Sequence, residues 1–421
     1  MNIFKNFICK KLNSKIPKKF YKTLTDFDEE SEISKHYKKL LYMKLSKIEA
    51  EKLFNEKNIL INNYFKNDST TTNFKNLYSM HGIKTHLQDI IELIKTRIAS
   101  SDEKTLNKLS EYYFNIEGKM IRPFLIILMS KYVHECKYPN SKEDFFKTKI
   151  YLDYVKPFAS CIEVIHNASL LHDDIIDNSG LRRNYKTAHT VYGIRPTVFG
   201  ANYILSKAAN IVTELNIEQL NEIFSSIIYH LTYGECQQTL EKPSLNNITN
   251  KEKIDEYFLN YMNKTYYKTG SLIASSLRGI AIIFELDDEL EKSLFYIGLH
   301  LGLVFQIVDD LLDVTYDSKQ IMKPNYNDLK EGIINSYLLF EISDDHTDKL
   351  KNLIQKKFSE SNDFTELNKI LSNGTGVQKA KCLAMDHAYS ALSILDKQFF
   401  KDNKTKEVIL TLISYLIKRN Y

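Results

Sequence analysis

Helix breakers are sparse in this chain: 421 residues hold 13 glycines and seven prolines. All-β folds need frequent turns, and βα folds need glycine at tight connections, so long stretches without either favour long helices. From about His81 onward apolar positions recur every three or four residues, the period of a helix with one buried face. Polar breaks fall at Glu135–Lys147, Lys242–Lys253, Asp317–Gly332 and Ser359–Gly376. A hydrophobic share of 43% can build a sizeable core. Lysine and arginine number 57 against 53 aspartates and glutamates, and the resulting +4 is too mild to argue for nucleic acid.

One pattern occurs twice. Residues 170–177 read Leu-Leu-His-Asp-Asp-Ile-Ile-Asp, and residues 305–313 read Phe-Gln-Ile-Val-Asp-Asp-Leu-Leu-Asp. Each Asp-Asp-x-x-Asp ends an apolar run. On a helix, residues four apart share a face, so Asp173 points with Asp177 and Asp309 with Asp313. Like charges at that spacing repel, and beside a core they need cations or protons. Magnesium takes oxygen ligands and bridges carboxylates to phosphates, so two such helices face to face would hold ions over one diphosphate. A solvated helix end explains either cluster alone; it explains a matched pair poorly.

Cations alternate with these clusters. Lys119 and Arg122 stand three apart, on one face if that segment is helical. His166 lies two turns before Asp173, and Arg182-Arg183 follow the first cluster. Lys268 sits in the apolar segment Tyr261–Ala274, and Lys323 follows the second cluster. Each alone reads as a surface cation or a core histidine. Their order suits an anion shared between metal and guanidinium groups.

At these residues the chain resembles the trans-polyprenyl diphosphate synthases, and within them the long-chain octaprenyl and solanesyl type that makes quinone side chains. The resemblance covers about two-thirds of the chain, from about Glu117 to Ala391. It rests on Gly-Lys-x-x-Arg-Pro at 118–123, His-Asn-Ala-Ser-Leu-Leu-His-Asp-Asp-Ile-Ile-Asp at 166–177 and Leu-Arg-Arg at 181–183. Gly234-Glu235-x-x-Gln238, Lys268-Thr269, Phe305-Gln306-x-x-Asp-Asp-x-x-Asp, Lys323-Pro324 and Asn327-Asp328-Leu329 complete it.

The resemblance implies an all-α, isoprenoid synthase-type helical bundle around a deep central cavity, assembled as a homodimer. It implies condensation of isopentenyl diphosphate with an allylic diphosphate, with two or three magnesium ions per site. Asp173, Asp174, Asp177, Asp309, Asp310 and Asp313 form the implied metal set. Arg182, Lys268 and Lys323 would share the allylic diphosphate's charge, and Lys119, Arg122, His166 and Arg183 would hold isopentenyl diphosphate. Lys268, Thr269 and Gln306 would face the developing carbocation. In this family the product grows along the first aspartate helix. Ala168 and Ser169 lie one turn before Asp173, and their small side chains imply a long product rather than one of three units.

Three departures stand out. Ala201-Asn202 replaces a Gly-Asp pair, Asn184 replaces the glycine after the paired arginines, and Gly332-Ile333-Ile334-Asn335-Ser336-Tyr337 replaces a Gly-Lys-x-Thr-x-Pro segment. Two other readings compete. A non-catalytic partner subunit would be expected to lose parts of the aspartate clusters, and both are whole. A terpene cyclase typically lacks the second Asp-Asp-x-x-Asp and the isopentenyl site.

The flanks are less informative. Residues 1–25 carry seven lysines and no acid, with Phe4, Phe7, Ile8 and Leu12 on one helical face. That fits an organellar transit peptide, mitochondrial or other; the alternative is a basic tail on a cytoplasmic protein. Residues 26–80 form a polar extension, weakly structured or adding one or two peripheral helices, and 81–421 form the catalytic domain. The five cysteines contain no Cys-x-x-Cys pair and read as free thiols, neither disulfide nor zinc. No apolar run reaches the length of a membrane span; the nearest, Leu294 to Val314, reads as a buried core helix, leaving only peripheral membrane contact for product release.

Overall fold

A computed structural model describes residues 29–65, 82–99, 101–116, 118–240, 251–315, 329, 333–343, 347–356, 358–360, 362–399 and 403–418. Among them the chain is all-α apart from one two-stranded hairpin. Helices that are apolar all round go to the centre. α5 (Ile121–Lys137) buries every residue from Pro123 to Ser130, and α11 (Ser271–Ile283) buries eleven of its thirteen residues. α6 (Lys156–Ile176) and α12 (Asp288–Thr315) pack beside them and carry the aspartate motifs. α8 (Ile194–Glu214) covers α6, and α16 (Gly376–Gln398) covers α12.

By length and composition alone Asp288–Val314 is apolar enough to cross a membrane, yet it sits in the core as expected. Its most apolar window is 78% buried, so its partners are helices rather than lipid.

Residues 29–65 of the polar extension form α1 (Glu29–Leu41) and α2 (Lys47–Asn62). Ser46 caps α2 in a reciprocal box with Glu49, which satisfies two free N–H groups. Ile33, Tyr37 and Leu40 of α1 are buried, each contributing on the order of 2 kcal/mol by removal from water. Tyr37 stacks on Phe258 of α10 (Lys251–Thr265), and Lys57 of α2 pairs with Asp386 of α16. Residues 1–28, with the expected transit peptide, lie outside the described residues.

Two features aim the site. The link from α10 into α11, Tyr266–Gly270, is a π-helical turn, a wider coil that recurs at functional sites. It carries Lys268 and Thr269. Beside it α12 crosses at closest approach: a Cβ on Gly302 would lie 2.5 Å from the Gly270 Cα. Any side chain at 302 would collide with that main chain.

Candidate active site

A cavity of about 400 Å³ opens where α5, α6, α11 and α12 converge. Asp173 and Asp177 line it from α6, and Asp309 and Asp310 line it from α12. The cationic side chains of Arg122, Arg182, Arg183 and Lys268 line the same cavity, with His166, Ser169, Thr269 and Gln306. The two acidic helix ends therefore meet over one chamber, as the repeated pattern predicts.

The six aspartates are not equivalent. Asp174 turns away from the cavity, is 1% exposed, and accepts a 2.7 Å hydrogen bond from Arg182 Nε. Asp310 is 5% exposed and accepts 2.7 Å from the Tyr261 hydroxyl and 2.9 Å from Gln306 Nε2. Gln306 in turn accepts a 2.8 Å bond from the Thr269 hydroxyl, which locks its amide orientation. Asp313 is half-buried and does not line the cavity.

Burial dominates the electrostatics. It pushes the Asp173 carboxyl up to about 7, against the pull of Lys268. Asp174 and Asp177 move in the same direction for the same first reason. Carboxylates so placed favour a cation or a proton. Lys268 meets Glu235 at 2.7 Å and Gln238 at 2.9 Å, which positions its ammonium. His166 is held well below its ordinary value by burial and then by Arg122, so its imidazole is neutral.

Some expected residues fall elsewhere. α5 begins only at Ile121, after Met120 in the left-handed region at φ 45°, so Lys119 shares no helical face with Arg122. Lys119 is exposed and does not line the cavity. Ala168 is buried in the core rather than on the cavity wall, because it faces a different side of α6 from Ser169. Lys323 lies outside the described residues.

Matches to known proteins agree with this geometry. The Polyprenyl synthetase family model matches residues 103–371. The chain belongs to the polyprenyl synthetase family. A prenyl transferase of Cyanophora paradoxa is 30% identical over 333 residues, covering 79% of this chain and 95% of that protein. Solanesyl diphosphate synthase 2, chloroplastic, of Arabidopsis thaliana is 32% identical over 299 residues, covering 71% and 67%. A decaprenyl diphosphate synthase from Rhodobacter capsulatus superposes with a TM-score of 0.70 at 22% identity, over 83% of this chain and all of that one (100%). The fold is that of the trans-prenyl synthases, and this polyprenyl synthetase is a prenyltransferase.

The departures from the family pattern have local explanations. Arg183 and Asn184 form the two-residue loop of the β1 (Leu181–Arg182) and β2 (Tyr185–Lys186) hairpin, with φ 52° and 67°. A type I′ turn needs both positive, and asparagine tolerates that region better than other non-glycine residues. Asn202 hydrogen-bonds His172 beside the first motif. Ile333 and Asn335, from the third departure, line the cavity.

Sequence reasoning assigned no role to Tyr261, Lys264 or Asn335, although all three line the cavity. Glu235 and Gln238 entered only as part of a motif. A single buried tyrosine on a largely polar helix gives no signal of its own; its role depends on Asp310, 49 residues away.

Proposed function

We propose that this polyprenyl synthetase condenses isopentenyl diphosphate with an allylic diphosphate, repeatedly, to make a long all-trans polyprenyl diphosphate for a quinone side chain. One observation carries the reading: Asp173, Asp177 and Asp309 share a cavity with Arg122, Arg182, Arg183 and Lys268. Carboxylate oxygens over a cationic floor are the donor set that a magnesium-bound diphosphate requires.

Asp173, Asp177 and Asp309, facing the chamber, would hold two or three magnesium ions. Asp174 and Asp310 hold Arg182 and Gln306 in place, and Asp313 stands behind them. When bound, magnesium neutralises the diphosphate as its carbon–oxygen bond breaks. Arg182 and Lys268 take up further charge on the leaving diphosphate. The Gln306 carbonyl and the Thr269 hydroxyl face the electron-poor carbon. Arg122, Arg183 and the neutral His166 hold isopentenyl diphosphate. Gly118 supports that side: a Cβ there would sit 2.7 Å from Arg183 Nη1. Lys119, next in sequence, and Lys323 complete the cationic set by resemblance alone. After attack by the alkene, the departing diphosphate is the base that removes the proton.

Ser169, with Leu170, Leu231 and Leu272 on the same wall, gives the growing chain a small, apolar entry. The exposed apolar side chains Ile194 and Phe199 of α8 and Tyr229 of α9 (Glu218–Leu240) support a homodimer. The lysine-rich N-terminus supports delivery to a mitochondrion or plastid, and the Arabidopsis relative is described as chloroplastic. Product release involves peripheral contact with a membrane.

The decisive assay incubates the protein with magnesium, radiolabelled isopentenyl diphosphate and farnesyl or geranylgeranyl diphosphate, then sizes the product. Incorporation into a long polyprenyl chain is expected. No incorporation refutes the synthase reading, and a product that stops at three units refutes the role of Ser169.

A further inference from the structure

Far from the aspartates, three histidines from three helices converge. His36 of α1, His300 of α12 and His387 of α16 each offer a nitrogen, and these atoms lie within 4.8 Å of one another. The His300 and His387 Nδ1 atoms are 3.0 Å apart. The His36 ring meets His387 edge-on at 4.8 Å and His300 at 5.9 Å between centroids. Neighbouring nitrogens on a tetrahedral zinc ion stand about 3.3 Å apart, given Zn–N bonds of about 2.0–2.1 Å. One edge of the triangle is already that short, and the widest closes by at most roughly 1.5 Å.

The surroundings orient the rings. Glu32, four residues before His36 on the same face of α1, sets its Oε2 3.7 Å from His300 Nε2, the ring nitrogen opposite the one that faces His387. The Ser390 hydroxyl is 3.0 Å from His36 Nε2. That bond fixes the ring and leaves Nδ1 as the donor, the outer-shell arrangement usual for ligating histidines. His387 is fully buried, and its Nε2 has no hydrogen-bond partner. Nearby charges are mixed: Lys35, Lys39 and Lys57 stand around His36, and Asp386 opposes them.

We propose that His36, His300 and His387, with a water molecule in the fourth position, form a binding site for one zinc-class divalent cation that fastens α1 to α12 and α16. Nitrogen donors select a borderline-soft ion, whereas the oxygen donors of the aspartate cavity select magnesium. The two sites are separate: His300 precedes Asp309 by nine residues on α12, about 13 Å along the axis. The ligand form is the one present at neutral pH. Burial holds His36 at about 4 and His300 at about 3, and His387 well below its ordinary value. Neutral imidazoles bind metal with no net loss of a proton, once the proton shared between the His300 and His387 Nδ1 atoms has moved to an Nε2.

The ion would act on the fold. α1 belongs to the N-terminal segment, and α12 carries the second aspartate motif. A bond from His36 to His300 makes docking of that segment depend on metal as well as on apolar burial.

Cobalt(II) is the probe, because a tetrahedral nitrogen site gives it intense visible absorption and an octahedral oxygen site does not. The metal-free full-length protein is titrated with cobalt in excess magnesium. One equivalent is expected to develop the intense band, and one equivalent of zinc to abolish it. His36→Ala, on the half-exposed helix, is expected to remove the band while circular dichroism stays unchanged. The double variant Asp173→Asn/Asp309→Asn is expected to keep it. Zinc should also raise the melting temperature of the wild type but not of His36→Ala. A folded wild type that shows only weak octahedral absorption overturns the proposal. So does a band that survives in His36→Ala, or one that disappears in the aspartate double variant.

Discussion

The two aspartate motifs share a spacing but not a chemical setting. At the end of α6 the inner aspartate, Asp174, is neutralised by a charged partner, Arg182. On α12 the inner aspartate, Asp310, is held by two neutral donors, Tyr261 and Gln306. In both, the preceding residue, Asp173 or Asp309, faces the chamber. The repeat therefore encodes a pair of roles rather than three equal carboxylates: one group reaches for the ligand and its neighbour anchors the scaffold. An ion pair and a neutral hydrogen-bond pair can do the second job, and they should fail differently.

The largest effect should come from the outward pair. Asp173→Ala and Asp309→Ala are each expected to reduce turnover by at least about 10³-fold with helical content intact, as loss of a transition-state charge contact does. Wild-type-like turnover in either would erase the distinction between outward and inward groups. Next comes the charged anchor. Arg182→Met leaves Asp174 buried without its counter-ion and should cost about 3 kcal/mol in urea denaturation. Adding Asp174→Asn should return much of that loss; no recovery would mean that the pair is not the reason for it. The neutral anchor should be milder. Tyr261→Phe removes one donor to Asp310 and should cost about 1–2 kcal/mol. If it costs as much as Arg182→Met, the contrast between the two anchors disappears.

The smallest effect is in pH dependence. Burial raises the Asp173 carboxyl to about 7 in the folded protein, against about 3.9 when unfolded. Between those values the folded state holds the extra proton. Its contribution is complete below the unfolded value and is lost as pH rises through about 7. Asp174 and Asp177 shift the same way. The melting temperature of the magnesium-free protein should therefore fall between about pH 5 and pH 8, and Asp173→Asn should flatten that slope. A slope unchanged by the substitution would assign it to other groups.

The helices and the outward aspartates were legible in sequence because both follow from helical period, and the bundle around a chamber was implied by the family resemblance. A four-residue spacing fixes which side chains share a face wherever the helix is regular. The settings of the inner aspartates were not legible, since one position along the helix decides only that Asp174 and Asp310 leave the face of Asp173 and Asp309. What they meet arrives from Arg182 and Tyr261, on other segments. Lys119 shows a local limit: the left-handed Met120 interrupts the helix that would put it on one face with Arg122. Ala168 shows the same limit as the inner aspartates, being adjacent to Ser169 in sequence but on another side of α6. The histidine cluster left no local trace at all, because His36 and His300 are separated by most of the chain.

Where α12 crosses the π-helical turn, main chain rests on main chain at Gly270 and Gly302. No rotamer exists there that can yield to a neighbour. Thr269 and Gln306 inherit their positions from that contact, so one jaw of the chamber is a fixed datum. Any adaptation to a bulkier or longer guest has to be written on the opposite jaw, in replaceable side chains such as Ser169 and Leu170.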